Sequence, residues 1–200
     1  MAPESVDDRR PAAGRPRDPA LDAAILAAAQ DQLIAHGFTG TTVEAVARAA
    51  GTGKAAVYRR YSTKTGLVVA AVQALQRPPV VPDTGSLRDD LLACAQHFVL
   101  PDRRPVLVLA GLLEELGRNP DLRAAAYAAI GRPPAVAFAT VIDRWRARGE
   151  VTSPAPTALL AGIVPAAAFR SVVLQRQAID PQTATHLVEY VLLPALRHQP

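Results

Sequence analysis

Thr41-Thr42-Val43-Glu44-Ala45-Val46-Ala47-Arg48-Ala49-Ala50-Gly51-Thr52-Gly53-Lys54-Ala55-Ala56-Val57-Tyr58-Arg59-Arg60 is the stretch whose reading decides the fold. Thr41 to Glu44 has the form of a capping box, in which the Thr41 hydroxyl accepts from the third helical amide and Glu44 reaches back. Val43, Val46, Ala47 and Ala50 then recur on one face of a short helix. Gly51 stops that helix, because glycine enters a positive φ cheaply. A second helix is predicted from Gly53 to about Arg60, and two short helices joined by a Gly-containing turn make a helix-turn-helix. The second helix opens on small residues, Gly53, Ala55 and Ala56, so its first turn can approach another surface closely. Its unpaired N–H groups and positive dipole end favour phosphate. Lys54, Tyr58, Arg59 and Arg60 project from its exposed side, and Lys64 follows at the start of the next helix.

Charge supports a polyanion-facing surface. The 200 residues carry a formal net charge of only +4, yet six basic residues and no acid fall between Ala45 and Pro82. Four Arg and no acid fall between Arg9 and Arg17. A solvated face is ordinarily mixed in sign, so an acid-free stretch of 38 residues favours nucleic acid over a plain αα-hairpin.

Outside this segment the chain reads as all helical. Hydrophobic residues make up 50% but aromatics only 4%, a balance that suits Ala- and Leu-rich helices better than sheets. Residues 1–17 lack periodicity and are expected to be a disordered basic arm. Asp18-Pro19 caps a first helix that Gly37 ends, and Thr63 caps a fourth that runs to Arg77-Pro78-Pro79. A linker follows through Gly85. Ser86, Asp102, Asn119, Ser153 and Asp180 are read as further helix starts, with Pro133-Pro134 kinking or dividing one helix and Pro165 bending another. The expectation is about nine helices in two domains: a DNA-binding domain over 18–77 and a second domain over 84–200.

Several function classes are excluded. A single Cys rules out a disulfide framework, and the four His show no metal-ligand spacing, so neither a metal nor a cofactor is expected. No nucleophile elbow, phosphate loop, dinucleotide fingerprint or zinc-protease motif is present. Glu114 and Glu115 diverge by about 100° on a helix and cannot converge on one substrate. No catalytic residue is assigned. No apolar run approaches the ~18 residues that span a bilayer, and no secretory signal is read at the N-terminus, so the expected location is the cytoplasm.

Gly37-Phe38, Thr41-Thr42-Val43, Val46-Ala47, Ala50-Gly51 and Val57-Tyr58-Arg59-Arg60-Tyr61-Ser62-Thr63-Lys64 resemble, in order and spacing, the tetracycline-repressor (TetR) family of bacterial regulators. The resemblance covers Asp18 to Val72. It implies an all-helical homodimer with an N-terminal DNA-binding domain and a C-terminal domain for ligand binding and dimerisation. It also implies roles for single residues. Thr41 and Thr42 would lie at the phosphate backbone. Lys54, Ala55 and Arg59 would face bases, Tyr58, Arg60 and Lys64 would hold phosphates, and Arg15 and Arg17 of the arm would reach a minor groove. Ala56 departs from the family's Thr or Ser and loses one phosphate contact, worth up to ~1.5 kcal/mol.

The C-terminal half gives less. Its large side chains, Phe98, Leu109, Leu113, Tyr127, Phe138, Trp145 and Phe169, are the candidate walls of a pocket for an apolar small molecule. Two helices are apolar most of the way round and so are expected to bury more than one face. Ala161, Val164, Ala168, Val172, Leu187, Tyr190 and Val191 are the candidate dimer contacts. The reading is a DNA-binding regulator, a repressor released from a palindromic operator by a small ligand. An activator of the same fold, a ligand-independent regulator and a helical protein-binding adaptor remain alternatives.

Overall fold

The computed structural model describes residues 18–198, and among these it holds nine helices and no strand. They are α1 (Pro19–Gly40), α2 (Val43–Ala49), α3 (Lys54–Tyr58), α4 (Lys64–Gln73), α5 (Leu87–Ala95), α6 (Arg103–Leu113), α7 (Pro120–Ala147), α8 (Thr157–Gln175) and α9 (181–197). The expected arm, with Arg15 and Arg17, lies outside the described residues.

Most predicted starts are realised, because a capping oxygen needs only residues three positions away. Asp18, Thr63, Ser86, Asp102, Asn119 and Asp180 each accept from an amide in the first turn of the helix that follows. Two readings are corrected. The cap of α2 is Thr42, whose hydroxyl accepts from the Ala45 amide at 3.1 Å, so the expected box with Glu44 does not form. Thr41 is fully buried and donates its hydroxyl to the Gly37 carbonyl at 2.7 Å. Ser153 caps only a local turn, and α8 starts later, at Thr157.

Each proline inside a long helix is matched by a local change of pitch. Proline lacks an N–H and crowds the carbonyl four residues back. Wider π turns precede Pro133-Pro134 and Pro194, over Tyr127–Gly131 and Leu187–Leu192. A turn at Gly162 precedes Pro165. The Ala129 carbonyl, four residues before Pro133, accepts instead from the Gln73 side-chain amide at 3.2 Å. The helices therefore bend without ending, and Gln73 ties α4 to α7.

Two cores result. Ile25, Val46, Val57, Leu67 and Ala71 close the N-terminal domain. Leu87, Leu91, Phe138, Ile142, Trp145, Val164, Val188 and Leu192 belong to the larger core of the second. A third cluster, with Leu33, Val68 and Val72 against Val108, Leu112 and Leu122, welds the two together. Windows in α7 and α8 are apolar enough to cross a membrane, which counting uninterrupted apolar runs did not reveal; a third of each window is buried inside the protein.

The linker is held by a buried carboxylate. Asp90 is fully buried and accepts from the Thr84 amide (2.7 Å), the Thr84 hydroxyl (2.7 Å), Arg144 (2.8 Å) and the Trp145 indole (2.7 Å). Burial alone would push this carboxyl up, but those donors outweigh it and hold it below its ordinary 3.8. Arg144 also donates to the Pro82 carbonyl. Asp90→Ala should cost roughly 3–5 kcal/mol, since it leaves Arg144 and the indole N–H without their anion. Urea unfolding at neutral pH checks this, and a loss below 1 kcal/mol would contradict it. Because the folded-state value is depressed, Asp90 stabilises the fold at pH well above 3.8. That stabilisation falls away as pH drops through the folded-state value. The wild-type and variant stability curves should therefore converge in acid.

Candidate nucleic-acid interface and internal cavity

The helix-turn-helix is built from one buried face. Fully buried Val46 of α2 and Val57 of α3 anchor both helices on α1 and α4. With Val57 inward, Lys54, Ala55, Tyr58 and Arg59 are left outward on α3. Thr42 is exposed at the α2 N-terminus, and Ala56 is half-buried.

The cations are not equally available. Lys54 is paired with Glu44 across the turn, and the hydrogen bond between them pulls Glu44 down and pushes Lys54 up. Arg60 is turned inward. Its side chain is 13% exposed, pairs with Asp22 of α1, and donates to the Ala56 carbonyl at 3.2 Å. It is a brace between α1 and α3 and not a free cation, which corrects its expected phosphate role. Thr41, buried beneath the turn, is corrected in the same way. The Lys64 ammonium sits 4.4 Å from the Phe38 ring centroid and donates to the Thr39 carbonyl at 3.2 Å. Partial burial lowers its pKa. Arg59 is exposed and has no carboxylate partner among the described residues.

Helix α6 lies directly behind this surface. At its start, Arg104 donates to the Gln30 side-chain oxygen (3.2 Å) and to Asp31 (2.7 Å) of α1. Gln30, itself buried, donates onward to the Ala71 carbonyl of α4 at 2.9 Å. In its last turn, Gly111 presses on α1 so closely that a Cβ there would lie 2.5 Å from the Leu33 carbonyl oxygen. Beyond its end, Glu115 accepts from the Thr39 hydroxyl at 3.0 Å. Gly37 interrupts α1 between these ties with φ 63° and ψ −174°. That combination is open essentially to glycine alone.

The other side of α6 faces a cavity of about 740 Å³. Leu109, Leu112, Leu113 and Leu116 form one wall; Phe98, Tyr127, Ile130 and Phe169 contribute others. Residues 74–77, just after α4, line one end. Phe138 and Trp145 do not line it. Both belong to the main core, with the Trp145 indole committed to Asp90. Burial holds His97, another wall residue, below its ordinary pKa.

The candidate dimer contacts divide. Ala161, Val164, Ala168 and Val172 are buried within the protomer and so cannot supply its outer face. Leu187 is half-buried, and Tyr190 and Val191 are exposed. Leu159, Val173 and Leu174 are exposed beside α8's buried positions, one or two residues from those expected and so on a different face of the helix. An all-round apolar helix has no sequence signal to choose its face.

Residues 25–71 match the description "Bacterial regulatory proteins, tetR family", and residues 81–191 match "Tetracyclin repressor-like, C-terminal domain". The chain belongs to the tetracycline-repressor family. An HTH-type transcriptional regulator of Mycobacterium bovis is 32% identical over 190 residues, covering 92% of this chain and 94% of its own. The fold is that of NalD from Pseudomonas aeruginosa, the secondary repressor of a multidrug efflux pump (TM-score 0.67, 21% identity, 90% of this chain and 98% of that one). It is also that of the regulator FadR from Bacillus subtilis, solved with stearoyl-CoA (TM-score 0.70, 16% identity, 86% and 98%). The protein is thus a DNA-binding transcriptional regulator and not an enzyme.

The pairing of the cations generates a test. Glu44→Gln releases Lys54 and removes an anion from the DNA-facing side. It should raise DNA affinity and steepen log K against log salt by up to ~0.9. Arg60→Ala should leave that slope unchanged while lowering thermal stability, since its guanidinium already serves Asp22. Fluorescence anisotropy of the regulator on its own upstream DNA at several salt concentrations reads both. A slope flattened by Arg60→Ala, with stability intact, would restore the phosphate role.

Proposed function

We propose that this regulator is a homodimeric repressor, acting in the cytoplasm, that leaves a palindromic operator when a small, mainly apolar molecule fills the cavity. The observation that carries the reading is that one helix serves both sites. Leu109, Leu112 and Leu113 of α6 wall the cavity, while Arg104 and Gly111 of the same helix grip α1 of the DNA-binding domain. A ligand that fits one position of α6 better than another shifts the tilt of α1 and the attached recognition helix α3. Only that differential affinity lets it act. The bound stearoyl-CoA of FadR and the repressor activity of NalD, in proteins of the same fold, support it as analogy.

In this reading Thr42, Tyr58 and Lys64 hold phosphates, and Lys54, Ala55 and Arg59 meet base edges. Arg15 and Arg17 extend the contact into a minor groove. Two copies of α3 then enter successive major grooves. The dimer forms through the outward apolar residues of α8 and α9, chiefly Leu159, Val173, Leu174, Tyr190 and Val191. Leu174 and Tyr190 are 70% and 73% exposed in one protomer, and exposed apolar surface of this kind supports an interaction face.

The test follows from that exposure. Leu174→Asp with Tyr190→Asp should leave helix content and the protomer fold intact and convert a dimer to a monomer in light scattering. Operator affinity should fall by roughly a hundredfold or more, because two linked half-site contacts become one. A wild type that is monomeric at micromolar concentration, or a double variant that still binds DNA normally, would overturn the proposed assembly.

A further inference from the structure

The cavity wall is mainly apolar, with Gln76, Gln96, His97 and Tyr127 as uncharged or weakly basic polar members. Asp102 is its one carboxylate, and that group is committed to the Arg104 amide at the start of α6, at 3.0 Å. Two guanidinium groups reach the same wall: Arg77, just past α4, and Arg123, on α7. Among the described residues Arg77 makes no hydrogen bond or ion pair, and Arg123 donates only to the Leu116 carbonyl at 3.0 Å. Both residues are exposed, so they lie where the cavity meets solvent. The elements that carry them are fastened side by side: Gln73, one turn before Arg77, bonds the Ala129 carbonyl in the π turn of α7. Tyr127, one turn after Arg123 and 62% exposed, also lines the cavity.

We propose that the effector is an amphipathic anion, with a hydrocarbon body in the cavity and one anionic head, such as a carboxylate, held between Arg77 and Arg123. This rests on the cavity being the effector site, and it adds the chemical class. The size fits, since about 740 Å³ falls within the ~300–1,000 Å³ of sites for small organic ligands. The sign fits as well. Two cations without a carboxylate partner among the described residues attract an anionic head and repel a cationic one. Arg77 belongs to the end of the DNA-binding domain and Arg123 to the regulatory domain. A head that joins them couples the domains directly, in addition to any shift of α6.

Calorimetric titration of the full-length protein with decanoate, decanol and decyltrimethylammonium tests the class with one chain length. Decanoate should bind roughly tenfold more tightly than decanol, and the cation most weakly. In the Arg77→Gln, Arg123→Gln double variant, with an unchanged melting temperature, decanoate and decanol should become equal. The neutral dye N-phenyl-1-naphthylamine tests the cavity separately and should bind wild type and variant alike. Equal binding of all three probes, or decanol ahead of decanoate, with the dye still bound, overturns the anionic class but leaves the effector cavity standing. Failure of the dye as well as the three probes overturns both.

Discussion

The contact between α6 and α1 at Gly111 constrains the rest of the molecule. No side chain larger than hydrogen fits there, because a Cβ would stand 2.5 Å from the Leu33 carbonyl oxygen. At that point backbone meets backbone, with no compressible side chain in between. A displacement of α6 is therefore transmitted to α1 and not absorbed. Arg104 above and Glu115 below fix the same pair by charge-assisted hydrogen bonds, so α6 and α1 move as one body over about three turns. The break at Gly37 lies within that span and sets the direction in which Phe38 and the helix-turn-helix leave α1.

The regulatory domain is built to hold α6 from its other side without filling the space next to it. The prolines of α7, α8 and α9 oblige those helices to bend or widen locally. Bent helices cannot pack along their full length, and Pro134 and Pro165 both line the space left over. The Asp90 cluster compensates on the far side. It locks residues 82–84 of the linker to α5 and α7, so the two domains are joined by an anchored strap as well as by the shared apolar cluster.

Local features of this chain were legible in its sequence, and long-range pairings were not. Asp18, Thr63, Ser86, Asp102, Asn119 and Asp180 act on residues within one turn, so their roles depend on little else. The slip from Thr42 to Thr41 shows the limit even there: two adjacent threonines offer equal caps, and only burial of the first beneath Gly37 decides between them. The acid-free stretch coincides with the helix-turn-helix and its flanking helix α4. It did not reveal that Asp22, 38 residues before Arg60, would claim that guanidinium. Large side chains pointed toward the cavity through Phe98, Leu109, Leu113, Tyr127 and Phe169. Phe138 and Trp145 are equally large, and size alone does not separate a cavity wall from a core. Gly111 and Arg104, which link the two sites, carried no recognisable motif. Their importance comes from what lies opposite them.

The most direct measurement of the central claim is made on Gly111→Ala. The added methyl must push α6 and α1 apart, while touching neither the DNA-facing surface nor the cavity wall. The account predicts a folded dimer of reduced stability whose affinity for its upstream DNA, by fluorescence anisotropy, changes several-fold with the slope on salt unaltered. It also predicts faster amide hydrogen exchange in both 19–40 and 103–113. Wild-type affinity together with wild-type exchange in α1 would show that α6 does not govern the DNA-binding domain, and would contradict the account.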